Sequence, residues 1–131
     1  MPTDTIRATP MPTLEILHAR LADSLLIFMA IAGLWCLIAA LRGQGISSQT
    51  WGILAIGALL ALAQAALGLM LYLGGDRPAR GIHILYGAVA VLGLPAYYAL
   101  SHGRDDRRAA WTYALLCLFL AGISLRAATT A

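Results

Sequence analysis

Four long stretches of this chain carry no charged residue and consist mainly of apolar residues. They cover positions 24–41, 43–75, 81–103 and 109–125. A helix that crosses a bilayer needs about 20 mainly apolar residues, within a range of roughly 17 to 25. The first, third and fourth stretches each fit one crossing. The second exceeds one crossing but is too short for two, and its front part, 44–50, has the composition of a loop. The pattern therefore predicts four membrane-spanning helices.

The overall composition agrees with a membrane protein. The chain has 131 residues, of which 60% are hydrophobic and 11% are charged, and its mean hydropathy is +0.78. Soluble domains carry roughly 25% charged residues, so this chain has too few charged residues to form the surface of a soluble domain. The formal net charge of +3 suits anionic lipid headgroups. With so few charges there is no case for a nucleic-acid partner.

Local signals predict where the helices begin and end. Polar residues suited to helix N-caps precede the apolar stretches, and glycines follow them. The predicted N-caps are Thr13, Ser47 or Ser48, Asp76 with Pro78 in the following turn, and Asp105 or Asp106. The predicted helices are 14–42, 48–73, 77–102 and 106–127, within one transmembrane domain over residues 14–131. Residues 1–13 hold three prolines and no apolar core of a secretory signal, so we expect a flexible or surface-lying arm.

Short loops make consecutive helices antiparallel neighbours, so the predicted fold is an all-α, integral membrane, up-down-up-down four-helix bundle. The loops 43–50 and 103–109 then share one membrane face, and both termini share the other. Arginines cluster in the second of these loops at positions 104, 107 and 108. Because cytoplasmic loops are enriched in basic residues, we expect this multi-pass protein in a bacterial inner membrane with its termini on the outer side.

Two histidines lie at similar depth on the first and third helices. His18 lies five residues after its predicted cap and His83 seven after its own, a difference of about 3 Å along the axis. Helices 1 and 3 are diagonal partners in such a bundle, so both imidazoles could point into one central volume. That is the geometry of an axial ligand pair on a haem iron. Alternatively, both are interfacial residues bonded to backbone or lipid, as we interpret His102.

Other polar residues accompany this histidine pair. Arg20 and Arg80 lie on the same face, where they could bind haem propionates, although lipid phosphates or an Arg20–Asp23 pair would also explain them. Gln64 lies in mid-span and needs a polar partner, either in the site or between helices. Tyr86 follows His83 by one turn. These residues complete the predicted site.

At these residues the chain resembles the haem A synthase family. Its stretch Glu15-Ile-Leu-His-Ala-Arg20 resembles the family's E-x-x-H-R motif, and Gln64-Ala-Ala-Leu-Gly68 resembles its Q-x-x-L-G helix, with His83 on the next helix. The resemblance covers about residues 14–90 in three short motifs. It implies a haem-binding four-helix bundle with His18 and His83 as axial ligands on the outer side and Glu15 as an acidic residue near the haem.

The chain also departs from that family. The family has eight spans in two bundles, whereas this chain has one bundle, and its arginine is displaced by one position. Synthase-like oxidation would need a second bundle or a dimer, so enzymatic activity is left open.

Three functions are compatible with the sequence. The leading hypothesis is a small membrane cytochrome that binds one haem b, acts in electron transfer or haem handling, and works alone, as a homodimer or in a larger membrane complex. The alternative is a cofactor-free accessory subunit of a respiratory or photosynthetic complex. A small transporter is less favoured, because its acidic residue in the first helix would have to lie deep in the membrane. Glu15 instead precedes the uncharged core of the first helix by about nine residues, or roughly 14 Å.

Overall fold

The computed structural model describes residues 12–78 and 80–129. Within these residues the regular elements are four α-helices: α1 (Pro12–Leu41), α2 (Ser48–Leu73), α3 (Ile82–Leu100) and α4 (Arg107–Ala128). Each helix is long and apolar enough to cross a membrane. The predictions of an all-α chain and of four helices with spanning length and composition are therefore confirmed.

Two of the predicted helix starts are confirmed by their hydrogen bonds. Ser47 caps α2, because its Oγ accepts from the backbone N–H of Thr50 at 3.2 Å. Asp106 caps α4, because its Oδ1 accepts from the N–H of Ala109 at 2.9 Å. The first helix already includes Pro12, so Thr13 lies inside it and is not its cap. Residues 1–11, which make up most of the predicted arm, lie outside the described residues.

The predicted start of the third helix is wrong, since α3 begins at position 82 and not at 77. Asp76 closes α2 instead of capping α3: its N–H donates to Leu71 O at 2.9 Å, and the N–H of Gly75 donates to Tyr72 O at 3.1 Å. Gly75 has φ of 96°, and this bond pair around a left-handed residue is a Schellman motif. Pro78 consequently lies in the connection between the helices.

The same kind of ending terminates α1 and α3. Gly43 has φ of 77°, and the N–H of Gln44 donates to Ala39 O at 2.8 Å. At the end of α3 the left-handed position is occupied by His102, with φ of 53°, and Gly103 N donates to Tyr98 O at 3.1 Å. His102 therefore has a backbone role at this turn.

The core lies mainly between the first and last helices. Each helix packs against the next in the chain, the α1–α4 interface is the most extensive, and the α2–α3 interface is the smallest. No comparable interface joins α1 to α3 or α2 to α4 within the described residues, so these are the diagonal pairs. A Cβ at Gly33 would lie 2.7 Å from Leu118 Cγ, which shows how closely α1 and α4 approach. The buried core includes Leu25, Met29, Ala32, Cys36, Tyr113, Ala114, Cys117 and Leu120.

Candidate functional site

His18 and His83 meet across the α1–α3 diagonal. Their ring centres are 6.2 Å apart and their planes are inclined at 66°. His18 lies near the start of α1 and His83 is the second residue of α3. Both side chains are half-buried. The two imidazoles thus share one volume at this end of the bundle, between helices that otherwise make little contact.

The ring of His83 is oriented by the last turn of α4. Its Nδ1 lies 2.9 Å from the backbone oxygen of Ala127. Because a carbonyl oxygen can only accept, Nδ1 carries the proton of this bond. Histidines that bind metals are commonly held in this way, since the second-shell bond sets both the tautomer and the ring orientation.

The ring of His18 lies against α2. A Cβ at Gly68 would lie only 3.1 Å from its Cε1. A larger residue at position 68 would push the ring away, so the glycine permits this close approach. Nδ1 of His18 is buried and has no hydrogen-bond partner among the described residues. A buried imidazole nitrogen without a partner is costly, and a ligand that bonded to it would remove that cost.

Two carboxylates lie at the rim of this site. Glu15 precedes His18 by three residues on α1, and its carboxyl group lies close to that of Asp76. Glu15 was predicted near the site from the family resemblance. Asp76 was interpreted only as a helix cap, although the predicted antiparallel bundle already places the end of α2 beside the start of α1.

The remaining predicted site residues divide into two groups. Arg20 and Arg80 are exposed, and between described residues Arg20 and Asp23 form no ion pair. Gln64 and Tyr86 are half-buried. The Oε1 of Gln64 is buried and has no hydrogen-bond partner in the described part of the chain. The polar partner that the sequence predicts for this side chain is therefore not found for its oxygen.

The separation of the rings matches the span of one metal ion between two imidazoles. A metal–nitrogen bond of about 2 Å on each side, plus about 1 Å from each nitrogen to its ring centre, gives roughly 6 Å. Within residues 12–78 and 80–129, no group of three or more His, Cys, Asp or Glu residues is arranged to hold a metal. Two imidazoles supply two ligands, and a porphyrin supplies four more from its own nitrogens. The donor set therefore suits haem iron.

Comparison of the chain with protein-family models, with curated protein sequences and with solved structures finds no match in any of the three. The resemblance to the haem A synthase family accordingly depends on the three short motifs around Glu15, Gln64 and His83. It stays a prediction, and the function is argued from the geometry of the site.

Proposed function

We propose that this chain is a membrane cytochrome that binds one haem b between His18 and His83 and serves in electron transfer or haem handling. The observation that carries the proposal is the 6.2 Å separation of the two rings across the bundle diagonal. The hydrogen bond from His83 to the Ala127 carbonyl and the unpartnered Nδ1 of His18 support the same assignment.

The membrane location is supported by the outer surface of the bundle. Large apolar side chains on all four helices are more than one-third exposed, and in water they would form patches far larger than soluble monomers show. In a bilayer the same side chains face lipid. They include Ile27, Ile31, Leu34, Leu59, Leu62, Leu69, Leu92, Leu115 and Phe119.

The proposed topology is up-down-up-down in a bacterial inner membrane. The described connections cover only residues 42–47, 74–78 with 80–81, and 101–106, which favours antiparallel neighbours. The arginine cluster at positions 104, 107 and 108 favours a cytoplasmic position for its loop. His18 and His83 then lie near the outer side, together with both termini.

Each site residue has a specific task in this proposal. His18 and His83 would hold the haem iron, the Ala127 carbonyl would orient His83, and Gly68 would provide room for the ring of His18. Arg20 and Arg80, two and three residues from the ligands along the chain, are long enough to pair with propionates. When bound, the haem supplies the one-electron chemistry, and the protein supplies ligation, polarity and orientation.

An optical spectrum tests the proposal directly. Protein purified in detergent and supplied with haem should show a sharp Soret band, with split α and β bands after reduction by dithionite. His18→Ala and His83→Ala should each abolish or shift these bands. The control is His102→Asn, which removes the third histidine while keeping a residue that tolerates the positive φ of 53° at that position. A protein that is colourless after incubation with excess haem and removal of the unbound haem would refute the cytochrome assignment.

A cofactor-free accessory subunit is the second candidate, and the exposure of α3 favours it. Only Leu94 of this helix is buried, while Ile84, Leu85 and Leu92 are more than half exposed. Such a face could pack against helices of a larger membrane complex as well as against lipid. A colourless protein that co-purifies with such a complex in stoichiometric amounts would support this candidate. A synthase-like reaction would additionally need an open coordination position, supplied by a second copy.

A further inference from the structure

The connection between α1 and α2 borders a cavity at the end of the bundle away from the histidines. Its volume is about 740 Å³, within the range of roughly 300–1,000 Å³ typical of small-molecule sites. It is open on one side, toward the surroundings of the bundle. Its lining includes Trp35, Ile38, Arg42, Gln44, Ser47 and Gln49. The site already described uses none of these residues.

Hydrogen bonds hold one wall of this cavity in place. Trp35 Nε1 donates to Thr50 Oγ1 at 2.9 Å, and that hydroxyl lies 3.0 Å from Ser47 Oγ. Thr50 is only 2% exposed, so the indole is anchored to a rigid part of α2. The tryptophan ring therefore forms a fixed apolar wall.

The floor of the cavity is held by a contact between two loops. The N–H of Ile46 donates to the backbone oxygen of Asp105 at 2.7 Å. Gly45 lies so close to the same carbonyl that a Cβ at this position would collide with it. The α1–α2 and α3–α4 connections are thus joined by backbone contacts at the floor of the cavity.

The guanidinium group of Arg42 places a positive charge at this cavity. The last carbonyls of α1 are already satisfied: Ala39 O accepts from Gln44, and Ala40 O accepts from Gly43 N and from Arg107 Nε at 2.7 Å. Among the described residues, the Arg42 guanidinium makes neither a hydrogen bond nor an ion pair. Its charge is available to a ligand.

The surrounding charges favour an anion. This end of the bundle carries four arginines, at positions 42, 104, 107 and 108, against two aspartates, at 105 and 106. Asp106 is engaged as the cap of α4 and lies 3.5 Å from Arg104. Arg42 and Asp105 give the cavity wall one charge of each sign, and the positive excess that favours an anion comes from the arginines of the surrounding face.

We propose that this cavity binds one anionic phospholipid, with its phosphate at Arg42 and the start of an acyl chain along Trp35 and Ile38. Guanidinium groups bind phosphate oxygens in bidentate geometry, and the amides of Gln44 and Gln49 can donate to the remaining headgroup oxygens. Trp35 and Ile38 are 41% and 50% exposed, which suits contact with a lipid tail. The proposal rests on the membrane location in the proposed function and is independent of haem.

The test is a lipid titration of the purified full chain in phosphatidylcholine nanodiscs, read by native mass spectrometry. Phosphatidylglycerol should occupy one saturable site. Arg42→Gln should weaken that binding about tenfold or more, because a charged bidentate contact is lost. The matched control, Arg108→Gln, removes the same charge from the same face outside the cavity lining and should change binding less than about twofold.

Other results would overturn the proposal. Equal weakening in both variants would show attraction by surface charge alone, and non-saturable binding would show bulk lipid contact. Equally tight binding of short-chain diacylglycerol would show an apolar groove without a phosphate site. Equally tight binding of inorganic phosphate would show a site for the free ion. Haem spectra recorded on the same samples separate a failure of this proposal from a failure of the cytochrome assignment.

Discussion

Nδ1 of His83 donates a hydrogen bond to the backbone oxygen of Ala127 over 2.9 Å and so joins the start of α3 to the end of α4. Ala127 lies in the last turn of α4, where carbonyls lack the usual intrahelical donors. His83 thereby supplies a hydrogen-bond donor to a carbonyl at the C-terminal end of α4, and the same bond fixes the orientation of its ring. The contact between α3 and α4 and the proposed ligation of haem therefore depend on the same His83 side chain.

Replacing His83 by leucine should therefore lower stability even without haem. The variant leaves the Ala127 carbonyl without the imidazole donor, and the loss of one such bond costs about 1 kcal/mol of unfolding free energy. Denaturant unfolding of the haem-free protein in detergent, followed by circular dichroism, measures the change. His102→Asn should leave the unfolding midpoint unaltered. An unchanged midpoint in the leucine variant would mean that the α3–α4 bond contributes no net stability.

A methyl group at position 68 should displace His18. The Cβ of Gly68→Ala would lie 3.1 Å from His18 Cε1, so the ring must move away from α2 and from its alignment with His83. We expect haem affinity to fall about tenfold or more, since ligand misalignment costs metal affinity on that scale. Absorbance titration with haem measures this.

The matched control for that variant is Gly52→Ala, also in α2, where a Cβ would meet nothing within 4 Å. Because alanine favours helix over glycine by up to about 1 kcal/mol, this control should bind haem normally and be at least as stable. If both variants bound haem like the unaltered protein, the contact between Gly68 and His18 would have no role in ligation.

The close approach of α1 and α4 should make Gly33 intolerant of substitution. A Cβ there would lie 2.7 Å from Leu118 Cγ and 3.1 Å from the Leu118 backbone nitrogen, so the helices must separate. Overpacking of this kind costs about 1–3 kcal/mol. Thermal unfolding should show Gly33→Ala to be destabilised. Gly122→Ala, where a Cβ would have open space, should not be; comparable stability of the two variants would contradict this interpretation.

The buried hydroxyl of Thr50 should contribute to stability through Trp35. Thr50→Val preserves shape but removes the acceptor of the indole N–H, at a cost of about 1–3 kcal/mol for the unsatisfied donor. Tryptophan fluorescence during denaturation should report an earlier transition. Thr50→Ser keeps the hydroxyl and should unfold nearer to the unaltered protein. Coincident transitions for valine and serine would show that the bond to Trp35 is unimportant.

Parts of the candidate site could be foreseen from the sequence, whereas its supporting contacts could not. The similar depth of His18 and His83 follows from their distance to predicted helix starts. Gly68 was recognised as part of a family motif and of a ridge of small residues on the second helix, and Asp76 as a helix cap. Ala127 has no side chain that could signal its carbonyl bond to a residue 44 positions away.

The sequence by itself determined the number of helices and most of their ends. The part of a helix that crosses the hydrocarbon core excludes charge over about 20 residues. Caps such as Ser47 and Asp106 act on the next turn of the same chain. Only the tertiary structure decided that Asp76 closes α2 and does not cap α3, that His18 lies on Gly68, and that His83 bonds to α4. These relations join segments distant in sequence, and they depend on helix rotation and spacing, which are set by packing the whole bundle at once.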